Sequence, residues 1–242
     1  MTGLVRKTAL LTVCGLLAAG SALATHPLPL GPGPPDPAHS TIPSVITVVG
    51  RNETGVDAFG TFTCTMRDFS NAPIANADVW FDFTYCTDGA LCLDPVAGGG
   101  AYDCSGTNKT VHGTTNLAGE VTFTIQGGRK APAPACLGAQ CSPPGPGVGC
   151  AQVFMNGIPQ GNVSVLYVNQ SFLDGSGVNG GDTSVEQREV ICAGLGAPYR
   201  ARNDLQFNGA INGGDTAVMQ AQVARAGLGV GTTFGCSNIC PN

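Results

Sequence analysis

A short stretch near the C-terminus occurs twice, and this duplication constrains the fold more than any other feature of the chain. Residues 179–196 and 212–229 are identical at 12 of 18 positions in one register, offset by 33 residues. Both copies begin with Asn-Gly-Gly-Asp-Thr and end with Ala-Gly-Leu-Gly. A match of this length at a fixed spacing indicates a repeated supersecondary unit. The sequence therefore predicts two copies of one unit within residues 171–236.

The second half of each copy predicts a helix, over residues 183–196 and 216–229. Asp182 and Asp215, each followed by threonine, suit the position that caps a helix N-terminus. Gly196 and Gly229 suit the position that ends a helix. Each unit is thus expected to consist of a polar loop followed by one helix.

The loop before the second helix has the order of oxygen ligands found in a calcium loop. Over residues 204–215, side chains that carry oxygen occupy the first, third, fifth, ninth and twelfth slots. Gly209 is sixth, where such a loop must turn sharply, and the seventh slot needs only a backbone carbonyl. The predicted calcium ligands are Asp204, Gln206, Asn208, Ala210, Asn212 and Asp215.

The first loop departs from this order, because Leu173 and Gly175 fall in early ligand slots and cannot bind an ion through their side chains. The pattern is restored if one residue of the loop is missing. The candidate ligands of this shortened loop are then Asp174, Ser176, Asn179 and Asp182. Such a loop could hold calcium with more water, or none. In the competing interpretation, both loops are only turns with helix caps, duplicated for packing.

A calcium-type loop followed by one helix, repeated in tandem and ending in Asp, resembles the dockerin module. The resemblance implies two calcium loops whose helices pack antiparallel, and a protein partner of the cohesin type. Dockerins that bind cohesins commonly carry Ser-Thr-like residues in the tenth and eleventh slots. This chain has Gly180-Gly181 and Gly213-Gly214 there, which argues against a cohesin partner.

Upstream of the repeat, residues 44–170 contain short segments in which apolar and polar residues alternate. In the third segment, Val79, Phe81 and Phe83 are expected to point inward, and Trp80 outward. The last two segments are expected to face each other across a loop containing Asn156-Gly157. This pattern predicts a two-sheet antiparallel β-sandwich. The predicted strands are Val45–Val49, Phe59–Met66, Ala77–Phe83, Gly119–Ile125, Ala151–Met155 and Val163–Val168.

Three of these stretches, residues 59–68, 72–82 and 115–123, resemble bacterial Ig-like domains of the invasin type. The shared features are a strand ending in Arg67-Asp68, a turn with Pro-Ile-Ala, and a Thr-x-x-x-Gly-x-Val-x-Phe strand from Thr115 to Phe123. The resemblance implies an Ig-like fold for residues 44–170. The predicted fold class is therefore mainly β, an Ig-like sandwich followed by a small α-helical, dockerin-like pair.

The N-terminus reads as an export signal over residues 1–24, with a charged head, an apolar middle and a small-residue cleavage site. A lipoprotein anchor at Cys14 is the alternative. Residues 25–43 are rich in proline and predict an extended tether.

Ten cysteines remain after residue 24, and an even number in an exported chain predicts disulfides, with Cys236–Cys240 as one close pair. A zinc site is the alternative for the cysteines. Residues 237–242 form a short tail.

The charge pattern narrows the possible partners. The net charge is −5 and no basic stripe exists, so nucleic acid and anionic membranes are not expected partners. No segment after the export signal has the length of apolar sequence that a membrane span needs.

We expect no catalysis, since His112 falls in a predicted loop. The predicted function is a secreted or cell-surface module for attachment or assembly with another surface or secreted protein. A carbohydrate-binding accessory domain, suggested by Trp80 and Tyr102, and a structural module without metal are the alternatives.

Overall fold

The computed structural model describes residues 33–50, 59–86, 89–92, 101–104, 109–129, 149–170, 177–195, 203–228 and 240. The predicted export signal, the first part of the tether and most of the tail therefore lie outside the described residues. The described chain is mainly β with two helices near its C-terminal end, as predicted at that level. Neither helix is long and apolar enough to cross a membrane.

Ten strands and two helices follow one another along the described chain. The strands are β1 (Val45–Val48), β2 (Thr61–Thr65), β3 (Asp78–Asp82), β4 (Gly89–Leu91), β5 (Ala101–Asp103), β6 (Thr110–Thr114), β7 (Glu120–Thr124), β8 (Gly127–Arg129), β9 (Ala151–Met155) and β10 (Ile158–Tyr167). The helices are α1 (Gly180–Gly194) and α2 (Gly213–Gly227). One sheet has the order β1-β10-β9-β3-β6-β5, and two further pairs are β2-β7 and β4-β8.

The alternating segments form strands for the expected reason, because their apolar sides share one core. Phe81 on β3 is fully buried and meets Phe62 and Phe123 edge-on, at ring-centroid distances of 5.4 and 5.1 Å. The β2-β7 pair therefore packs against the apolar face of the six-stranded sheet. Trp80 points to the opposite side of that sheet, as predicted, and is 41% exposed.

The connection between β9 and β10 is a tight hairpin. Asn156 and Gly157 have φ of 47° and 79°, the left-handed values that a two-residue turn of this kind needs at both positions. The structure thus confirms that these strands are antiparallel neighbours. In contrast, β1 pairs with β10 in parallel, so the sheet is not purely antiparallel as predicted.

His112 was predicted to lie in a loop, but it lies in the middle of β6, paired with Trp80 of β3. The adjacent Gly113 explains why the alternation of apolar and polar residues is weak along β6. A Cβ at Gly113 would lie 3.0 Å from Val121 and 3.2 Å from Phe123, tighter than ordinary contact, so glycine suits the point where the second sheet approaches closely.

The described part of the predicted tether contacts the rest of the chain. Pro35 bridges to Asp68 and Thr41 bridges to Thr65, although no paired structure was expected there. The amide of Asp36 donates to the carbonyl of Arg67 at 2.9 Å, and the side chain of Asp36 is buried. Proline needs no partner for a missing N–H, so isolated bridges remain possible along such a segment.

Two disulfides crosslink distant parts of the chain. Cys86 is bonded to Cys150, and Cys104 is bonded to Cys240. Cys92 and Cys192 are disulfide-bonded as well. The predicted Cys236–Cys240 pair is therefore wrong, because Cys240 is anchored near β5. Cys64 on β2 is a free, buried thiol, and burial raises its pKa to about 12, so the even cysteine count does not mean that all ten pair.

Candidate metal-binding site

The repeated segments begin their helices in the same way. Asn179 caps α1 and Asn212 caps α2, and each amide oxygen accepts from the backbone two residues on. The aspartate three residues later accepts from the backbone N–H of its asparagine, at 2.8 Å in α1 and 2.7 Å in α2. The N-caps are therefore the asparagines, not Asp182 and Asp215 as predicted, and the aspartates complete a capping box. The helices end with Leu195 and Leu228 as C-caps.

The second loop folds around the two aspartates that were predicted to bind an ion. Asp204 accepts the amides of Asn208 at 3.0 Å and Gly209 at 2.6 Å. Asp215 accepts the amides of Gln206 at 2.9 Å and Asn212 at 2.7 Å. Both carboxylates thus lie on the inner side of the same loop, and both are almost fully buried.

The remaining predicted ligands bond to one another nearer the surface, where Gln206, Asn208 and Ala210 are exposed and Asn212 is half-buried. The side chain of Asn208 accepts from the amide of Ala210 at 2.9 Å and donates to Gln206 at 3.1 Å. The side chain of Asn212 donates weakly to the carbonyl of Ala210 at 3.4 Å. An oxygen that accepts one hydrogen bond keeps a second lone pair, so these groups retain capacity for an ion. Gly209 has φ of 81°, the turn expected in the sixth slot.

Two apolar side chains attach this loop to the β-sheets. Leu205 is buried in a cluster with Val49, Leu166 and Met219. Phe207, with φ of 57°, stacks on Phe59 at a ring-centroid distance of 6.4 Å. The loop is therefore held from outside as well as by its own hydrogen bonds.

The first loop is described only in part. Asn179 and Asp182 are placed, whereas Asp174 and Ser176 lie outside the described residues. Asp182 is fully buried and accepts the amide of Gln170 at 2.6 Å. The corresponding donor in the second loop is nine residues before the aspartate, whereas Gln170 is twelve before it. The two loops therefore share their caps but not their upstream path.

A buried polar group beside the second loop escaped the sequence analysis. Glu186 on α1 is fully buried and accepts from Asn203, the residue before Asp204, at 2.8 Å. Its other oxygen has no hydrogen-bond partner among the described residues. Burial raises the pKa of Glu186 to about 8, and the charge of Asp215 adds to that rise. The signal available in the sequence was the divergence between the copies, since Met219 replaces this glutamate in α2.

A second buried acid on α1 pairs with a cation. Glu189 lies 3.4 Å from the guanidinium of Arg129 on β8, and both side chains are almost fully buried. The same guanidinium nitrogen lies 3.4 Å from the amide oxygen of Gln170. Arg129 was not singled out by sequence, because its glycine-rich strand shows no alternating pattern.

The donor set of the second loop fits a hard cation only if neutral oxygens contribute. Among the described residues, no group of three or more His, Cys, Asp or Glu side chains comes together to hold a metal. The loop supplies two carboxylates, and amide and backbone oxygens are the other donors it offers. Such mixed oxygen sets suit calcium better than zinc or copper.

Comparison of this chain with known protein families, with curated proteins and with solved structures finds no match.

Proposed function

We propose that this chain is an exported, non-catalytic protein with an Ig-like sandwich and a calcium-stabilised, dockerin-like pair of loop–helix units. Its role would be attachment to, or assembly with, another surface or secreted protein. The observation that carries the proposal is the inward position of Asp204 and Asp215. Two nearly fully buried carboxylates share one short loop with amide and carbonyl oxygens.

The strand order supports the Ig-like assignment. β1 runs parallel to β10, and β10, β9 and β3 follow as antiparallel neighbours. The β2-β7 pair covers the apolar face of this sheet. Two β-layers packed around one core are also the architecture of the Ig class.

The second loop also explains why an ion would stabilise the fold. Asp215 forms no salt bridge with any residue that the structure describes, and burying an anion without a cation is costly. Helix capping explains the burial of Asp215 but not that of Asp204, since Asp204 precedes α2 by nine residues and caps no helix. Calcium would neutralise both carboxylates, and its binding free energy would add to the free energy of unfolding.

The disulfides support export. Bonds such as Cys86–Cys150 and Cys104–Cys240 persist in oxidising compartments and are rare in the cytosol. Calcium is abundant in the extracellular fluids that such a protein would meet.

The decisive experiment is a calcium titration of the chain, followed by calorimetry and thermal unfolding. We expect calcium at about 100 times its Kd to raise the free energy of unfolding by about 2.7 kcal/mol. In Asp204→Asn, which keeps the shape and one of the two accepting oxygens but removes the charge, the calcium response should be largely lost.

Asp68→Asn is the matched control. Asp68 also accepts loop amides, those of Ser70 and Ala72, but it lies in the turn after β2, far along the chain from the repeat. This variant should lose stability equally with calcium and with chelator. If wild type shows neither binding heat nor a shift in melting temperature, the calcium assignment is wrong.

A further inference from the structure

The outer face of the six-stranded sheet carries two parallel rows of side chains. Residues directly opposite each other on paired strands share a face, so the strand register defines these rows. The first row, across four strands, is Pro159, Phe154, Trp80 and His112. The second row, across five strands, is Asn162, Gln152, Asp82, Thr110 and Asp103. We call these the aromatic row and the polar row.

The rows are partly exposed, with half-buried residues between the exposed ones. The alternate residues of the same strands, such as Phe81 and Val153, are buried on the other side. Trp80 is 41% exposed, and Pro159, Asn162 and Asp103 are exposed at the ends of the rows. At the usual spacing between strands, the polar row is about 19 Å long. The side chain of Tyr102, the other aromatic residue suggested by the sequence, lies outside the described part of the chain.

The indole of Trp80 is held in place by its neighbours. Its N–H donates to one carboxylate oxygen of Asp78, and the other oxygen lies 3.2 Å from Nδ1 of His112. The Trp80 and His112 rings lie 6.1 Å apart and are tilted by 56°. Because the only polar atom of the indole is already bonded within the protein, the ring offers a ligand its apolar face.

The charge of this surface selects among ligands. The two rows contain Asp82 and Asp103 but neither Lys nor Arg, and Asp78 lies next to them. The whole chain has a net charge of −5. An anionic ligand is therefore disfavoured, whereas hydroxyl groups donate well to carboxylates and amides.

We propose that this face binds a neutral carbohydrate chain. A pyranose ring has a face of C–H groups and an edge of hydroxyls. The aromatic row would stack on the C–H face, and the polar row would accept hydrogen bonds from the hydroxyls. Sites for small ligands commonly combine aromatic side chains with a few placed polar groups in this way. The inference is independent of calcium, because none of these residues belongs to the repeat.

Trp80 is the only tryptophan in the chain, so its fluorescence reports on this site directly. The probes are six-unit oligosaccharides of β-1,4-linked glucose, xylose, mannose and N-acetylglucosamine, together with a malto-oligosaccharide. We expect at least one of them to change the intensity or wavelength of the emission saturably. A polygalacturonate oligomer, which is anionic, should produce no saturable change.

Two variants and one control complete the test, with binding measured by calorimetry because Trp80→Ala has no tryptophan signal. Trp80→Ala and Gln152→Ala should each weaken binding of the responding sugar, the former by about tenfold or more, the typical loss at a central aromatic anchor. Phe69→Ala removes a more exposed aromatic residue, in the turn after β2, and should bind as wild type.

The outcomes separate the possibilities. Absence of a saturable response to all the neutral sugars overturns the proposal. So does unchanged affinity in a folded Gln152→Ala together with a folded Trp80→Ala. If the emission instead changes with protein concentration alone, and the mass in solution doubles, the face joins two copies of the chain and the carbohydrate proposal is wrong.

Discussion

The two copies of the repeat are alike where they begin their helices and different where the helices meet the rest of the protein. Asn179 and Asn212 form the same capping box. On the buried side, however, α1 presents Glu186 and Glu189, whereas α2 presents Met219 and Gln222 at the equivalent positions. One helix is docked through charge and hydrogen bonds, the other mainly through apolar packing.

In this duplicated sequence, the residues that both copies keep have a different role from the residues that diverged. The residues kept in both copies satisfy the helix's own backbone, a requirement that is identical wherever the helix lies. The residues that diverged depend on the surface each helix covers. α1 reaches Arg129 and Asn203, and α2 places Met219 in the cluster with Leu166 and Leu205.

The largest effect should follow from removing the cation that pairs with α1. Arg129→Met removes the guanidinium that lies 3.4 Å from the buried carboxylate of Glu189, and breaking a buried pair on one side typically costs about 3–5 kcal/mol. We expect a greater loss at pH 8 than at pH 5, because the charge of Arg129 also lowers the pKa of Glu186, so removing Arg129 raises that pKa further and the loss grows as the pH rises. Urea unfolding of both proteins at the two pH values measures this.

The matched change on α2 is Met219→Ala. It removes only apolar contacts, at a cost of about 2–5 kcal/mol that should not vary between pH 5 and pH 8. Equal pH dependence in Arg129→Met and Met219→Ala would show that the two helices do not differ in the way described.

A smaller effect should come from Glu186, whose pKa burial raises to about 8 from an ordinary value of 4.5. Between these values the folded protein holds a proton that the unfolded chain has released. The free energy of unfolding should therefore fall as the pH rises through this window. Glu186→Gln should remove that slope, whereas Glu120→Gln, at an exposed site on β7, should leave it intact.

The pH dependence that Glu186 causes should also respond to calcium. The charge of Asp215 contributes to the raised pKa, and a bound cation would offset that charge. If the proposed calcium site exists, saturating calcium should make the stability of wild type less dependent on pH. An identical slope with calcium and with chelator would contradict the link between Glu186 and the second loop.

The smallest effect concerns the caps, where the copies should behave alike. With chelator present, Asn179→Ala and Asn212→Ala should each cost about 1 kcal/mol. With calcium, the cost at Asn212 should rise, because that asparagine is also a proposed ligand. Thermal unfolding in both conditions tests this, and equal costs that ignore calcium would count against an ion at Asn212.

Local patterns were sufficient to predict much of the fold. Six strands were recognised from alternation or apolar runs, and the Asn156-Gly157 turn from the residues that tolerate positive φ. Both helices and the sharp turn at Gly209 followed from the repeat. These features depend on interactions within a few residues, which any sequence displays directly.

Contacts between distant segments account for what was missed. β4 and β8 are short strands in which glycine is needed for close approach. A Cβ at Gly89 would lie 1.9 Å from the hydroxyl of Tyr167, and one at Gly127 would lie 2.1 Å from the carbonyl of Ala90. Glycine in a sequence also marks ordinary turns, so its role here becomes apparent only when the neighbours are known.

The candidate site likewise has features that local sequence predicts and features that depend on contacts between distant segments. The sequence alone shows the order of oxygens from Asp204 to Asp215 and the duplication of the caps, because a loop and its helix are built from consecutive residues. The burial of Glu186 against Asn203 and the pairing of Glu189 with Arg129 arose when the helices packed on the sheets. A charged residue that looks suited to solvent by its sequence can be buried once a distant partner compensates its lost hydration.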